Sequence, residues 1–156
     1  MKRILILLIL TLAPLTASAQ SSMDYFFERH SGEQGYQTVV YGKRMLDMMK
    51  ENASTDVKSL LNKIINIRII SHEQPQDRII DLARRDMKDS RKYETISMIN
   101  ENGNLSEFYI SENIGRSKNV SFLMIVSGPQ GSAVMEIIGD FDVKDISKLS
   151  VMGQKR

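Results

Sequence analysis

Apolar and polar positions alternate along this chain with periods that change from helical to strand-like near its middle. Met23 to His30 gathers Tyr25, Phe26 and Phe27 ahead of Ser31-Gly32, which predicts a short helix with a stop. Gln37–Tyr41 is a β-branched run of strand character, and beyond Gly42 the residues Met45, Leu46, Met48 and Met49 fall at helical spacing. Polar Glu51 to Thr55 reads as a turn. Asp56 is placed to cap a further helix through Leu60, Leu61 and Ile64, after which Ile65, Ile67 and Ile69 alternate with Asn66 and Arg68, so the helix runs into a strand. Pro75 suits the first turn of the next helix, where its missing N–H costs little. Ile79, Ile80, Leu82, Ala83 and Met87 form that helix's apolar stripe, with Asp81 and Arg85 four apart on the other face.

From Tyr93 onward the period is two. Tyr93–Asn100 and Leu105–Ser111 flank Glu101-Asn102-Gly103-Asn104, and Asn-Gly is the strongest short hairpin signal because both residues accept positive φ. Val120–Ser127 is apolar on both faces and reads as a central, covered strand. Gly128-Pro129-Gln130-Gly131 turns the chain into Ala133–Ile138, a second hairpin. Val143, Ile146 and Leu149 then follow at three-residue spacing, with Asp142 as the cap and Asp145 in the first turn of a closing helix. The order predicts an α+β fold: a mainly antiparallel sheet of about five or six strands, four of them a meander, with helices packed on one face.

The first nineteen residues stand apart from this pattern. Lys2 and Arg3 precede the apolar run Ile4–Leu10, and the segment ends in Ala17-Ser18-Ala19, the layout of a cleavable signal peptide with cleavage after Ala19. Pro14, Thr11, Thr16 and Ser18 interrupt the run short of the roughly 20 apolar residues of a spanning helix. The expected organisation is therefore a leader, 1–19, and one α+β domain, 20–156, released without a membrane anchor into the periplasm or the exterior.

Charge and cysteine narrow the function classes. Removing residues 1–19 takes two basic residues and no acid, leaving 19 of each sign. A balanced surface argues against nucleic acid, whose phosphates call for clustered Lys and Arg, and against adsorption to anionic lipid. With no cysteine the chain has no disulfide framework, no thiolate nucleophile and no Cys-ligated metal or iron–sulfur site, and a lipoprotein anchor also lacks its acceptor.

Candidate chemistry is sparse. His30 sits at a predicted helix C-terminus, where a cap or surface role suffices. His72 and Glu73 are adjacent on a strand and point to opposite faces, which suits a structural role better than one shared ion. Ser127 to Ser132 lacks both the Gly-x-Ser-x-Gly elbow and the phosphate-loop ending. Asp140 and Asp142 are the only close carboxylate pair weighed as acid and base, and a turn with a helix cap accounts for both; a calcium loop would need a third ligand position and a later Glu. The ten methionines read mainly as core filling, apart from Met45, Met48 and Met49, whose adaptable side chains suit an amphiphile or a partner. No catalytic, metal or cofactor-binding residue is assigned, and no cofactor is implied.

The run Val134-Met135-Glu136-Ile137-Ile138-Gly139-Asp140-Phe141-Asp142, followed by Asp145-Ile146-Ser147-Lys148-Leu149, resembles the closing signature of small exported bacterial proteins, domain of unknown function 4252. Phe26, Met45-Leu46, the Ile79–Met87 helix, Tyr93 and Asn102-Gly103 fall where that family has similar features. The resemblance implies an exported single domain, transfers no catalytic residue, and includes many lipoproteins, from which the lack of cysteine departs. The leading expectation is a non-enzymatic envelope protein that binds another protein or an amphiphilic ligand through its sheet or its methionine helix. The alternatives are a carboxylate-dependent hydrolase using Asp140 and Asp142, and a structural subunit of an envelope complex.

Overall fold

The computed structural model describes residues 22–90, 92–112, 119–142 and 144–146. The expected leader 1–19, its cleavage site, and the closing helix beyond residue 146 lie outside those residues. The elements are α1 (Ser22–His30), β1 (Gln37–Tyr41), α2 (Lys43–Glu51), α3 (Thr55–Lys63), β2 (Ile64–His72), α4 (Asp77–Ser90), β3 (Glu94–Glu101), β4 (Asn104–Ser111), β5 (Val120–Gly128) and β6 (Gly131–Gly139).

All six strands form one antiparallel sheet in the order β1-β2-β6-β5-β4-β3. The meander β3 to β6 is joined by two tight turns. At the first, Asn102 and Gly103 both take positive φ (52° and 79°), the backbone that Asn-Gly favours and that matches strand twist. At the second, Gly128 pairs with Gly131 across Pro129 and Gln130. β2 then returns beside β6, its register running from Ile64 opposite Gly139 to His72 opposite Ser132. β1 and β3 are the two edges.

The α+β class and the strand number are as expected, but the helices divide between both faces. Along β5, Leu123 and Ile125 pack with Met23, Phe26 and Phe27 of α1 and Ile79, Ile80, Ala83 and Met87 of α4. Phe122, one residue along and on the opposite face, joins Leu46 of α2, Leu60 and Leu61 of α3, Ile137 and Phe141. A strand apolar on both sides needs cover on both sides, and α2 and α3 supply it at one end of the second face.

Local chemistry explains the boundaries. In α1 the buried residues Met23, Phe26, Phe27 and His30 recur at three- and four-residue steps, and Gly32 leaves the helix at φ 75°. α3 begins at Ser54 as N-cap, so Asp56 lies in the first turn and does not cap. Its end has no connecting turn: Ile64 is already extended (φ −83°, ψ 132°) and opens β2. The freed carbonyl of Lys63 is met by the Asp140 N–H at 2.9 Å. Gly139 makes this possible, since a Cβ there would run into that same carbonyl oxygen. Pro75 precedes α4 and does not start it; the entry is held by the Gln76 N–H donating to Ser132 Oγ at 2.9 Å. Asp81 pairs with Arg84 at 3.4 Å and not with Arg85, which turns to Asp86.

Candidate binding surface

Of the expected carboxylate pair, Asp142 is built into a helix start. Asp142 Oδ1 accepts the Asp145 N–H at 3.0 Å while the Asp142 N–H donates to Asp145 Oδ2 at 3.2 Å, a reciprocal cap of the kind that ends open N–H groups. Lys63 Nζ donates to Asp145 at 2.6 Å, and that bond, reinforced by the charges of Asp142 and Asp140, raises the Lys63 pKa. Asp140 and Asp142 lie exposed on this turn, so their arrangement is that of a cap with a neutralising lysine.

His30 departs from the surface reading. It belongs to the buried stripe of α1, stands 5.0 Å from the Phe26 ring, and its Nδ1 is 2.8 Å from Glu33 Oε2. Arg78 donates to the other Glu33 oxygen at 2.6 Å. Arg78 first, and His30 second, hold the Glu33 carboxyl below the usual range. The three- and four-residue steps from Met23 through Phe26 and Phe27 to His30 carry the signal of a buried imidazole, which the cap or surface reading passes over. His72 accepts the Gln74 N–H on Nδ1 at 3.0 Å and meets Tyr36 edge-on, with ring centroids 5.4 Å apart. Among the described residues no three His, Asp or Glu side chains are close enough to hold a metal ion.

Two buried acids escaped the sequence reading. Glu136 is fully buried on the α1 face of β6. Its Oε2 accepts from Arg68 through Nε (3.0 Å) and Nη2, and its Oε1 accepts from Ser121 (2.6 Å) and Tyr93 (3.2 Å). Arg68 also donates to Asp24 of α1 at 2.7 Å and lies over the Phe27 ring, 4.5 Å from its centroid. Burial opposes the Arg68 charge, but Glu136 and Asp24 outweigh it and raise its pKa; burial, then the Glu136 charge, pushes the Tyr93 phenol strongly up. On β4, Glu107 accepts from Arg84 (2.9 and 2.5 Å) and from the Tyr109 hydroxyl (2.7 Å). Each carboxylate has several charge-assisted donors, the condition under which burying it is tolerated. These networks fasten α1 and α4 to the sheet. The open depressions lie elsewhere and are lined by mixed polar groups: one of about 280 Å³ by Lys92, Glu94, Ile110 and Glu112, another of about 410 Å³ by Gly35, Gln37, His72, Glu73 and Gln74.

Apart from Tyr25 on α1, the exposed large apolar residues lie toward the sheet's two ends. β3 exposes seven of its eight positions, among them Ile96 (38%), Met98 (58%) and Ile99 (50%). No strand lies along its outer side among the described residues, so the outward backbone N–H and C=O groups of β3 have no ladder partner among them. A bulge between Thr95 and Ser97 shifts the register against β4, placing Met98 opposite Glu107 and Ile99 opposite Ser106. At the other end, α2 buries Leu46 and turns Met45, Met48 and Met49 outward. Among the described residues no helix is long and apolar enough to cross a membrane.

The C-terminal run that carries the sequence resemblance is β6 and the turn after it, which hold Glu136, Gly139 and the Asp142 cap. A family model described as a domain of unknown function, DUF4252, matches residues 27–149. The chain belongs to that family. The DUF4252 match starts at Phe27 in α1 and runs through all six strands, covering the sheet, both buried acids and the β3 edge. No curated protein and no solved structure matches this DUF4252 chain.

Proposed function

We propose that this chain is an exported, non-enzymatic binding module that takes up a segment of another protein along the open edge of β3. The observation that carries the reading is the β3 strand itself, eight residues long and exposed, with Ile96, Met98 and Ile99 on an edge that no strand pairs among the described residues. Such an edge adds a strand readily: main-chain bonds give affinity, and alternate side chains give selectivity. Export is supported by the charged, apolar and small-residue layout of residues 1–19. Of the carboxylates weighed for hydrolysis, Asp142 caps a helix start by accepting the Asp145 N–H and Asp140 lies exposed on the same turn, and the two buried acids are saturated by arginine, tyrosine and serine donors.

A second reading, a subunit of a larger envelope assembly, is favoured by the stripe of Met45, Met48 and Met49 on α2, which packs on β1 and β2 at the far end of the sheet from β3. Two apolar surfaces at opposite edges suit a protein held between neighbours. Native mass spectrometry of the chain purified gently from the envelope tests both. A stable protein partner is the expected result, one partner for the module and more than one for the assembly. A bare monomer that turns over a substrate would overturn both readings.

A further inference from the structure

The ends of β3 carry information about what binds there. Glu94 opens the strand and Glu101 closes it; both are exposed and neither has an ion-pair partner among the described residues. Their partners in the ladder, Ile110 and Asn104, lie six residues apart on β4, so both carboxylates stand on one face of the sheet. Between them runs Thr95-Ile96-Ser97-Met98-Ile99-Asn100, without a charge. At the Glu94 end the depression of about 280 Å³ brings in Glu112 and Lys92 around Ile110, an apolar floor beside two acids and one base.

We propose that β3 receives an extended segment of a partner protein with an apolar, β-branched centre and a basic residue toward each end, spaced about six residues apart. This rests on the reading of the chain as a protein-binding module and specifies its partner's chemistry. Opposite charges across an antiparallel pair are stabilising and like charges directly opposite are destabilising. A lysine or arginine across from Glu94 brings its charge to that carboxylate at the end of the strand where Glu112 adds a second acid, while one near Glu101 meets the other end. The same rule disfavours a second copy of this chain. Antiparallel self-pairing about the strand midpoint sets Glu94 opposite Glu101 twice, two like-charge contacts with no basic residue inside β3 to relieve them. Acidic ends thus guard an uncharged edge against self-association while leaving it open to a basic-flanked partner.

The test uses the full chain and two synthetic peptides blocked at both ends, Lys-Val-Thr-Val-Thr-Val-Lys and the same sequence with glutamate at both ends. Binding is read by fluorescence anisotropy and located by amide hydrogen exchange. The lysine-ended peptide is expected to bind at least tenfold more tightly and to slow exchange in β3. The paired change Glu94→Lys and Glu101→Lys is expected to reverse that preference, while Glu51→Lys on exposed α2 leaves it unchanged. Equal binding of both peptides would overturn the charge assignment, as would protection confined to β1. Dimerisation of the chain through β3 at micromolar concentration would overturn the choice of partner. If neither peptide protects β3 while native mass spectrometry still finds a protein partner, the β3 assignment falls and the protein-binding reading stands.

Discussion

Replacing Arg68 by methionine isolates the cost of leaving a carboxylate buried without its charge partner. Glu136 has no exposed surface, and Arg68 supplies both donors to its Oε2, whereas Oε1 keeps Ser121 at 2.6 Å and Tyr93 at 3.2 Å. Removing one partner of a buried pair costs about 3–5 kcal/mol. Because one oxygen stays doubly bonded, and methionine keeps the apolar stem against Phe27, the low end of that range is expected, about 3 kcal/mol by urea unfolding. Adding Glu136→Leu should recover most of the loss, since an apolar replacement of the whole pair is often near neutral. A loss under about 1 kcal/mol, or a double variant no better than the single, would refute the reasoning.

Other consequences are simpler to read. Gly139→Ala drives a methyl into the Lys63 carbonyl at the α3–β2 junction, and thermal melting should show a loss of about 1–3 kcal/mol, the usual range for overpacking. Burial, with the hydrogen bond to Glu107, pushes the Tyr109 phenol up to about 12, so its stabilising contribution is intact below pH 10 and drains away as pH approaches 12. Tyr109→Phe should therefore flatten the alkaline limb of the unfolding curve. Arg78→Gln removes the main cause of the lowered Glu33 pKa, and carboxyl-detected NMR should find its titration midpoint raised toward the ordinary range.

The parts of the fold that sequence revealed are those in which cause and effect sit a few residues apart. Asn102-Gly103 announces its hairpin because the two required positive φ values fall on the two residues that accept them. The α1 and α4 stripes follow the same logic at helical spacing. The position of β2 beside β6 was not legible, because pairing across some 70 residues leaves no local periodicity. Arg68 stands between Ile67 and Ile69 and Glu136 between Met135 and Ile137, and a charge in such a pattern marks a solvent face; here α1 and α4 cover that face, and the charges survive there because they meet one another. Val120–Ser127, apolar on both sides, already implied a second covering layer and contradicted helices gathered on one face. The β3 edge was legible as a strand but not as an edge, since strand order decides which strand ends a sheet.

The direct passage from α3 into β2 bears on how the molecule comes together. β2 is made early, yet apart from short β1 its ladder partner is β6, and the junction closes only when Asp140 reaches the Lys63 carbonyl. The β3–β4 and β5–β6 hairpins close over short loops, whereas docking β2 requires a long one, whose entropic cost is met only once its contacts exist. The sheet cannot be completed until β6 is available, and until then the isoleucine-rich β2 pairs along one side only, with β1. The arrival of β6 is therefore the event that commits this domain to its native topology.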